Sequence, residues 1–507
     1  MDALRKAGNN VILFLELLLN KGFENRLNPF YHLGSLTFFF FWIVLVSGIY
    51  IFIFFETNVA GAYPSVEYIT HEQWWLAGIM RSLHRYASDA AVISIFIHMF
   101  RELFRDRYRG VRWFSWFTGV PTLWLVVVLG ITGYWLVWDQ LAQYVALATA
   151  EMMDWIPLIP STMVFNFLDG QITDRFFTLM AFLHLLGLPI GLVFLLWTHV
   201  SRISQIDFNP PRALAIGAFL TLLALSLIKP AVSHAPVQAG HAPVVLHLDW
   251  FYLNIYPLVD VLGPGWAWSI STGLTLLLMM LPWLPSKKEK PCAEVELTQC
   301  HGCGQCAKDC PYGSISMQRR TDGKKFPFEP AVNPTLCTAC GICSGSCVSS
   351  NPFRMTNTTL KSGIEMPWFT VDALRQEVTA KLSALTGENR VMLFGCEHGV
   401  DVSTMGQAGV AVVNLPCSGM LPPSMVDYVL KNGADGVFIT GCRNGDCYHR
   451  FGNLWTEQRL SGEREPKLLK RVEKSRVTEF RVSNSSGERA ELTRRLEAFR
   501  RSLQPSA

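Results

Sequence analysis

The sequence has few charged residues, and its first 291 positions contain no cysteine. Asp, Glu, Lys and Arg make up 17% of the 507 residues, against about 25% in an average soluble protein. Hydrophobic residues reach 50%, so a wholly soluble protein is excluded. All 13 cysteines lie at or after Cys292, many in C-x-x-C spacings. This pattern favours metal ligation in a reducing compartment over a disulfide framework.

Signals for several other functions are missing. The formal charge of +4 comes with no basic tract interleaved with aromatic residues, so nucleic acid is not expected as a partner. No G-x-G-x-x-G follows a strand pattern, and Walker A and C-x-x-C-H motifs are absent, which argues against a dinucleotide site and a c-type haem. The apolar run 11–19 is short and carries Glu16, so no cleavable signal is predicted.

Long charge-free runs predict an α-helical membrane bundle of about six spans. A bilayer crossing needs roughly 20 apolar residues. One predicted span, 74–104, contains Arg81, Arg85 and Asp89, and charges inside a membrane helix are costly and face a partner or cofactor. Residues 10–30 are amphipathic and are predicted to lie along the membrane interface. The other five predicted spans are 33–55, 113–138, 176–201, 213–228 and 261–286.

Lys and Arg are concentrated in alternate connections between these spans. The stretches 56–73 and 139–174 contain neither residue type. By the positive-inside rule, both termini and everything from Cys292 onward are predicted to be cytoplasmic, with the bundle in the inner membrane. The basic residues of the inner connections are Arg5, Lys6, Lys21, Arg26, Arg101, Arg105, Arg107, Arg109, Arg112, Arg202, Arg212, Lys287, Lys288 and Lys290.

Two predicted spans carry paired histidines. His84 and His98 are 14 residues apart, and His184 and His199 are 15 apart. Both separations are about four helical turns, so each pair shares one helix face, with its members roughly 21 to 22 Å apart. Facing helices would form an outer site from His84 with His184 and an inner site from His98 with His199. The alternative is that these histidines are satisfied by hydrogen bonds between helices.

Bis-imidazole ligation at bilayer depth suits haem b, so two b haems are predicted. Arg85 and Arg101 lie close to ligand histidines and are predicted to pair with haem propionates. Glycines occur on the neighbouring spans, where a missing side chain would let a porphyrin approach the backbone, although small residues also serve helix packing. These glycines are Gly34, Gly48, Gly119 and Gly133.

Residues 10–286 resemble the cytochrome b family of quinol-oxidising bc-type and bf-type complexes, in "NPFYHLGSLT", "HRYASDAAVISIFIHMFR" and "GITGYWLVWDQ". The resemblance implies quinone as substrate and a homodimer in the lipid membrane. The stretch "LDWFYLNIYPL" is similar to the family's Pro-Glu-Trp-Tyr segment at the outer quinol site, with Asp249 in place of Glu and Leu248 in place of Pro. It implies Asp249 and Tyr252 as catalytic residues. The simpler hypothesis is that quinone reacts mainly at the inner haem and that Asp249 is secondary.

Two C-x-x-C-x-x-C-x-x-x-C repeats follow the membrane part. In ferredoxins with two clusters, three closely spaced thiolates bind one cluster and the fourth reaches the other. Zinc is the alternative, but the doubled pattern is that of a bacterial ferredoxin domain with α+β fold. The predicted ligand sets are Cys300, Cys303, Cys306 and Cys347 for one [4Fe-4S] cluster, and Cys310, Cys337, Cys340 and Cys343 for the other.

The apolar runs "VMLFG", "VAVVNLP" and "GVFITG" predict the strands of a small α/β domain. Cysteines at or just beyond the predicted strand ends are Cys396, Cys417, Cys442 and Cys447. Open α/β sheets place their sites at such ends. Buried thiols or a redox-active disulfide are the alternatives to a metal cluster.

The stretch "CSGMLPPSMVDYVLKNGADGVFITGCRNGDCYHRFGN" resembles the delta subunit of methyl-viologen-reducing hydrogenases and the equivalent tail of heterodisulfide reductase flavin subunits. The resemblance implies a [2Fe-2S] cluster on the four cysteines and a flavoprotein partner. Gly399 stands where the family has a further cysteine.

The predicted domains are 1–286, 287–360 and 390–507, with 361–389 as a linker and a polar helical tail beyond Glu463. The assembled chain is predicted to be the membrane subunit of a quinone oxidoreductase, exchanging electrons with a cytoplasmic flavoprotein that acts on NAD(P)H or a similar donor. The alternative is a membrane anchor and docking subunit whose haems do not turn over.

Overall fold

The structure is a computed structural model that describes residues 2–157, 173–238, 245–249, 251–284, 290–350, 361–482 and 486–503. The chain divides into two compact units. The helical unit comprises His32–Ser201 and Ile206–Ser286. The cysteine-rich unit comprises Met1–Tyr31, Arg202–Gln205 and Lys287–Ala507. Trp250, Lys287 and Lys288, which the sequence analysis used, lie outside the described residues.

Each of the six predicted spans contains a helix. The helices of the helical unit are α2 (Leu33–Phe52), α3 (Ala62–His71), α4 (Ile79–Phe104), α5 (Trp113–Val137), α6 (Gln140–Asp154), α7 (Asp174–Phe182), α8 (Leu188–Val200), α9 (Arg212–Ile228), α10 (Ile255–Leu262) and α11 (Pro264–Met280). A π-helical turn, Leu183–Gly187, joins α7 to α8. Such turns inside a helix are frequent at functional sites.

Four helical stretches among the described residues are long and apolar enough to cross a membrane: Leu33–Phe52, Gly110–Val137, Phe177–Val200 and Pro264–Trp283. The charged helix α4 and the shorter helix α9 are not among them, so a count of six crossings stays a prediction. Large apolar side chains on these helices face outward, with Val193 68% and Trp197 65% exposed. Such exposure fits a lipid-facing surface, and the chain is a multi-pass membrane protein.

Inside the helical unit, α2 packs against α4 and α5 packs against α8. The first pair is joined by a hydrogen bond between side chains, in which Thr37 Oγ1 lies 2.7 Å from Ser94 Oγ. Val92, Val126 and Leu192 belong to one buried apolar cluster contributed by α4, α5 and α8. This packing brings the histidine-bearing helices α4 and α7–α8 each against a glycine-bearing neighbour.

Residues 290–350 and 361–365, the described residues of the ferredoxin-like part, form two antiparallel strand pairs and two short helices. Strand β1 (Glu294–Val295) pairs with β4 (Ile364–Glu365), and β2 (Ile315–Arg319) pairs with β3 (Phe328–Val332). The helices are α12 (Gln305–Lys308) and α13 (Ile342–Gly345). Each follows a glycine in the left-handed region, Gly304 with φ 74° and Gly341 with φ 76°. The two cysteine repeats therefore share the same local backbone.

The C-terminal part contains a four-stranded parallel sheet in the order β6-β5-β7-β8. Its strands are β5 (Val391–Cys396), β6 (Val410–Leu415), β7 (Gly436–Gly441) and β8 (Val477–Arg481). Its helices are α14 (Val371–Ser383), α15 (Pro423–Lys431), α16 (Gly452–Ser461) and α17 (Ser486–Ser502). Every residue of the inner strands β5 and β7 is buried, and the three strands predicted from apolar runs are present.

Three segments have features that the sequence did not predict. The predicted linker 361–389 contains β4 and helix α14, whose Leu374 and Val378 are fully buried in the core of the sheet domain. The tail beyond Glu463 contributes the strand β8 as well as the helix α17. Helix α1 (Asp2–Leu27) is part of the cysteine-rich unit, and its Glu16 is fully buried there. Its position along the membrane interface stays a prediction. These elements carry polar residues on their outer faces, so the sequence shows no clear apolar pattern for their buried faces.

Candidate metal centres

The outer pair of histidines has the spacing of two imidazoles that share one metal. The ring centroids of His84 and His184 are 6.3 Å apart. Metal–nitrogen bonds of about 2 Å on each side of an ion place the two rings at roughly this separation. His84 Nδ1 lies 2.9 Å from the carbonyl oxygen of Val44, and His184 Nδ1 lies 3.1 Å from that of Leu129. A hydrogen bond at Nδ1 fixes the tautomer and leaves Nε2 for the metal.

Three of the four predicted glycines face a predicted ligand. A Cβ atom at Gly48 would lie 2.9 Å from Cε1 of His84, and one at Gly133 would lie 3.0 Å from Cε1 of His184. A Cβ at Gly119 would lie 3.1 Å from Cε1 of His199. These distances leave no room for a side chain beside the rings, whereas a Cβ at Gly34 would meet no protein atom within 4 Å.

The inner histidines lie where α4 and α8 end. His98 and His199 are close enough to interact electrostatically, and Thr118 Oγ1 lies 3.4 Å from His199 Nδ1. Arg101 is buried, and its Nη1 lies 3.6 Å from Oε1 of Glu102. Glu102 is a functional candidate that the sequence reading did not single out, because one acid among several arginines gives no distinct signal.

The predicted quinone residue Asp249 is held by three donors. Arg85 Nη2 lies 2.5 Å from Asp249 Oδ2, and Tyr134 donates its hydroxyl hydrogen to the same oxygen over 2.6 Å. The backbone N–H of Phe251 donates to Oδ1 over 2.6 Å. Arg85 Nε also lies 3.3 Å from Oδ2 of Asp89. The arginine predicted for a haem propionate is thus engaged by two carboxylates.

The second predicted quinone residue, Tyr252, lies against the same helix face. Its hydroxyl oxygen is 2.6 Å from Ser88 Oγ, three residues along α4 from Arg85. The ring is buried against Gly130, where a Cβ would lie 2.2 Å from Tyr252 Cδ1. Asp249 and Tyr252 therefore both contact α4, each through its own hydrogen bonds.

The first predicted cluster set lines one cavity. Its walls include Cys300, Cys303, Cys306 and Cys347, together with residues of β2 to β4. Burial raises the pKa of the Cys306 thiol to about 12. A bound iron cluster supplies the positive charge that keeps such a buried sulfur ionised. No three His, Cys, Asp or Glu side chains of the described residues are grouped tightly enough to hold a single metal ion.

The second set interleaves with the first, as the ferredoxin pattern predicts. Cys340 interacts with both Cys310 and Cys337, and Cys343 interacts with all three. Cys343 also interacts with Cys306 of the first set, so the two predicted cluster sites are neighbours. Burial raises the pKa of the Cys340 thiol to about 12.

The four C-terminal cysteines converge beyond the carboxyl ends of three strands. Cys396 interacts with Cys417 and Cys442, and Cys447 interacts with the same two. Hydrogen bonds with Cys417 and Cys442 hold the pKa of Cys447 well below its usual value. A Cβ at Gly452 would lie 2.2 Å from Cys417 Sγ, so only glycine leaves room for that sulfur.

Three family profiles match three separate parts of the chain. The profile of cytochrome b/b6/petB matches residues 18–206, that of the 4Fe-4S dicluster domain matches 299–351, and that of the delta subunit of methyl-viologen-reducing hydrogenase matches 398–504. Cytochrome b6 of Heliobacterium mobile is 30% identical over 189 residues, which are 37% of this chain and 88% of that protein.

This chain belongs to the cytochrome b family. Cytochrome b of Rhodospirillum rubrum is 25% identical over 297 residues, covering 52% of this chain and 72% of that one. A chain of a solved structure, "Hyperthermophilic respiratory Complex III", aligns with a TM-score of 0.41 and 18% identity over 50% of this chain and 75% of that chain. The family matches confirm the three resemblances seen in the sequence.

These families establish the kinds of cofactor. Cytochrome b implies haem b, and the dicluster domain implies [4Fe-4S] clusters. The protein is thus a membrane electron-transfer subunit that joins a cytochrome b to iron–sulfur domains. The residues described above fit both groups, since paired imidazoles face each other and interleaved sets of four thiols stand together.

Proposed function

We propose that this cytochrome b is the membrane subunit of a quinone oxidoreductase complex, and that it passes electrons between the quinone pool and a cytoplasmic flavoprotein. The observation that carries the proposal is the presence, in one chain, of a histidine pair spaced for one metal and three sets of four cysteines. Haem b and iron–sulfur clusters, when bound, each carry one electron at a time.

Two haems are proposed, one per histidine pair. His84 and His184 hold the outer haem through Nε2, because their Nδ1 atoms are occupied by backbone carbonyl groups. His98 and His199 hold the inner haem. Gly48, Gly119 and Gly133 keep side chains out of the space beside the rings, and Gly34 is proposed to lie beside the porphyrin.

Three clusters are proposed on the cytoplasmic side of the inner membrane. Two are [4Fe-4S] clusters on the interleaved ferredoxin sets. The third is a [2Fe-2S] cluster on Cys396, Cys417, Cys442 and Cys447, supported by the mutual contacts of these thiols and by the match to the hydrogenase delta subunit. The same match supports a flavoprotein as the partner that exchanges electron pairs with single-electron centres.

Quinone is proposed to react mainly at the inner haem. At the outer end, the carboxylate of Asp249 is already engaged by Arg85 and Tyr134, which disfavours it as the primary proton acceptor. At the inner end, Glu102 is half-buried, with His98 and the cations Arg101, Arg107 and Arg112 near it. This group offers both a carboxylate and cations to a bound quinone.

Optical difference spectra of purified membranes test the proposal. The membranes are reduced first with NADH and then with a quinol. Reduction of haems and clusters in sequence by one of these donors supports electron transfer through the chain. If neither donor reduces the haems although dithionite does, the protein is instead a membrane anchor and docking subunit.

A further inference from the structure

The loop that carries Cys340 and Cys343 packs directly on the loop that carries Cys417. Cys340, Ile342, Cys417 and Trp455 form one buried apolar cluster. The first two residues belong to the second ferredoxin repeat, and the last two belong to the sheet domain. The two predicted cluster sites therefore meet through their own ligand loops.

Glycines allow the backbones of the two ligand loops to approach each other closely. A Cβ at Gly345 would lie 2.4 Å from the carbonyl oxygen of Gly419, and a Cβ at Gly419 would lie 3.0 Å from Cγ1 of Ile342. A Cβ at Gly341 would lie 2.5 Å from Sδ of Met420. Side chains at these glycine positions would force the two ligand loops apart.

A fully buried arginine, Arg459 of α16, stabilises the contact between the two ligand loops. Its Nη1 donates to the carbonyl oxygen of Gly419 over 2.7 Å, and its Nη2 donates to Oδ2 of Asp309 over 2.7 Å and to Ser346 Oγ. Asp309 and Ser346 are also joined to each other, with Ser346 Oγ donating over 2.7 Å. Asp309 precedes Cys310, Ser346 precedes Cys347, and Gly419 is two residues beyond Cys417.

The charges at this contact do not cancel. Asp309 is fully buried and accepts hydrogen bonds from two arginines, Arg459 and Arg464. Two arginines and one aspartate give this contact a net charge of +1 beside the cluster loops, and burying that charge is costly. Reduction of a cluster adds a negative charge, which a nearby cation stabilises.

We propose that electrons pass directly between the cluster held by Cys310, Cys337, Cys340 and Cys343 and the cluster held by the four C-terminal cysteines, with Arg459 as the positioning residue of that junction. This inference rests on the ligand sets of the proposed function. In the step one cluster loses one electron and the other gains it. No bond is formed or broken, and no proton moves. Arg459 holds the two loops in contact and raises the reduction potential of both clusters.

The test compares Arg459→Gln with a matched variant, Arg471→Gln, in the full-length protein loaded with its clusters. Arg471 also pairs with a buried aspartate of the sheet domain, with its Nη2 2.6 Å from Asp427 Oδ2, but on α15 instead of a cluster loop. Reduction is by dithionite, so the result does not depend on whether quinone or a flavoprotein reacts. The readouts are the magnetic interaction between cluster signals, the midpoint potentials and the rate of electron transfer after rapid mixing.

Arg459→Gln is expected to keep its iron, to lower both midpoint potentials and to slow transfer by about tenfold or more, because small displacements of reacting groups cost large factors in rate. Arg471→Gln is expected to match the unaltered protein. Unchanged potentials and rate in Arg459→Gln would overturn the proposal.

A second variant covers the case in which Arg459→Gln fails to assemble its clusters. Gly345→Ala inserts a methyl group 2.4 Å from the Gly419 carbonyl oxygen and leaves every charge in place. It is expected to weaken the magnetic interaction and slow transfer while the midpoint potentials stay as they are. Gly22→Ala, at a helical glycine with open space around it, is the control. An interaction and rate equal to those of the control refute the direct junction.

Discussion

Arg85 Nη2 lies 2.5 Å from Oδ2 of Asp249. The aspartate side chain is 6% exposed, and Tyr134 donates to the same oxygen. Arg85 is thereby shared between Asp249 and Asp89 on its own helix. In the helical unit, Asp249 is therefore part of a packed ionic network with Arg85, Asp89 and Tyr134.

We predict that Asp249→Asn retains both haems and near-normal quinone-dependent turnover, because the amide oxygen still accepts hydrogen bonds from Arg85 and Tyr134. Glu102→Gln, at the C-terminal end of α4, is predicted to lower turnover by about tenfold or more, in the range given by loss of a general acid or base. Both are measured as quinol-dependent reduction of an artificial acceptor. Loss of activity in Asp249→Asn with both haems present would move the reaction to the outer site.

The ligand assignment predicts two b haems per chain, and that His98→Leu removes the inner haem while leaving much of the outer one. A leucine offers no lone pair to the metal, and the outer pair lies about four helical turns away. A pyridine haemochrome assay counts the haems. His71→Leu is the control, since His71 is exposed and pairs with Glu67. Fewer than two haems in the intact protein would contradict the paired ligands.

The glycines give an independent check on the haem slot. Gly133→Val places a branched side chain where even a Cβ would lie 3.0 Å from Cε1 of His184. We expect loss of the outer haem with the inner haem retained, seen as a haem content near one per chain. Gly217→Val, on α9 where a Cβ meets nothing within 4 Å, should retain both. Full haem content in Gly133→Val would show that the glycine serves helix packing alone.

The sequence predicted those features of the sites that depend on the spacing between residues along the chain. Four turns between histidines on two helices put His84 opposite His184, and the C-x-x-C repeats put Cys347 with the first set and Cys310 with the second. Strand-end cysteines converged because parallel strands end at one edge of the sheet. Each of these is a local rule that needs no knowledge of distant residues.

The features that the sequence could not predict depend on contacts between distant parts of the chain. Arg459 lies in a helix of unremarkable composition, yet it is fully buried because Asp309, 150 residues away, accepts its hydrogen bond. Helix α14 was missed because its apolar residues face a sheet formed later in the chain. The ion pairs of Arg85 with Asp249 and Asp89 likewise could not be predicted, because Asp249 is 164 residues away in the sequence.

The C-terminal assignment predicts about ten irons bound as clusters, from two clusters of four and one of two, besides haem iron. Cys442→Ser is expected to abolish the [2Fe-2S] signal and leave the [4Fe-4S] signals unchanged, as measured by electron paramagnetic resonance and iron analysis. Cys292→Ser, the one cysteine outside the three sets, is the control and should lose no iron. Absence of a [2Fe-2S] signal from the unaltered protein would show that the C-terminal assignment is wrong.

Arg443 joins helix α1 to the C-terminal cluster loop. It follows Cys442, is 2% exposed, and donates from Nη1 to the Tyr31 hydroxyl over 2.7 Å. Its Nη2 lies 2.6 Å from Oε1 of Glu488, and its Nη1 lies 3.7 Å from Oε2 of Glu16. Glu16 is fully buried, so its carboxylate depends on a nearby cation for compensation of its charge.

We therefore predict that Arg443→Met lowers the stability of the docked α1 by roughly 3 kcal/mol, in the range for breaking a buried ion pair. Amide hydrogen exchange along α1 should therefore become faster. The spectroscopic signal of the cluster that Cys442 binds should also weaken. Arg495→Met removes an exposed pair with Glu491 and should cost only about 0.3 to 0.5 kcal/mol. Adding Glu16→Gln to Arg443→Met should restore part of the lost protection, since a buried amide needs less compensation than a buried carboxylate. Equal exchange rates along α1 in the two arginine variants would show that α1 is held by its apolar contacts and not by Arg443.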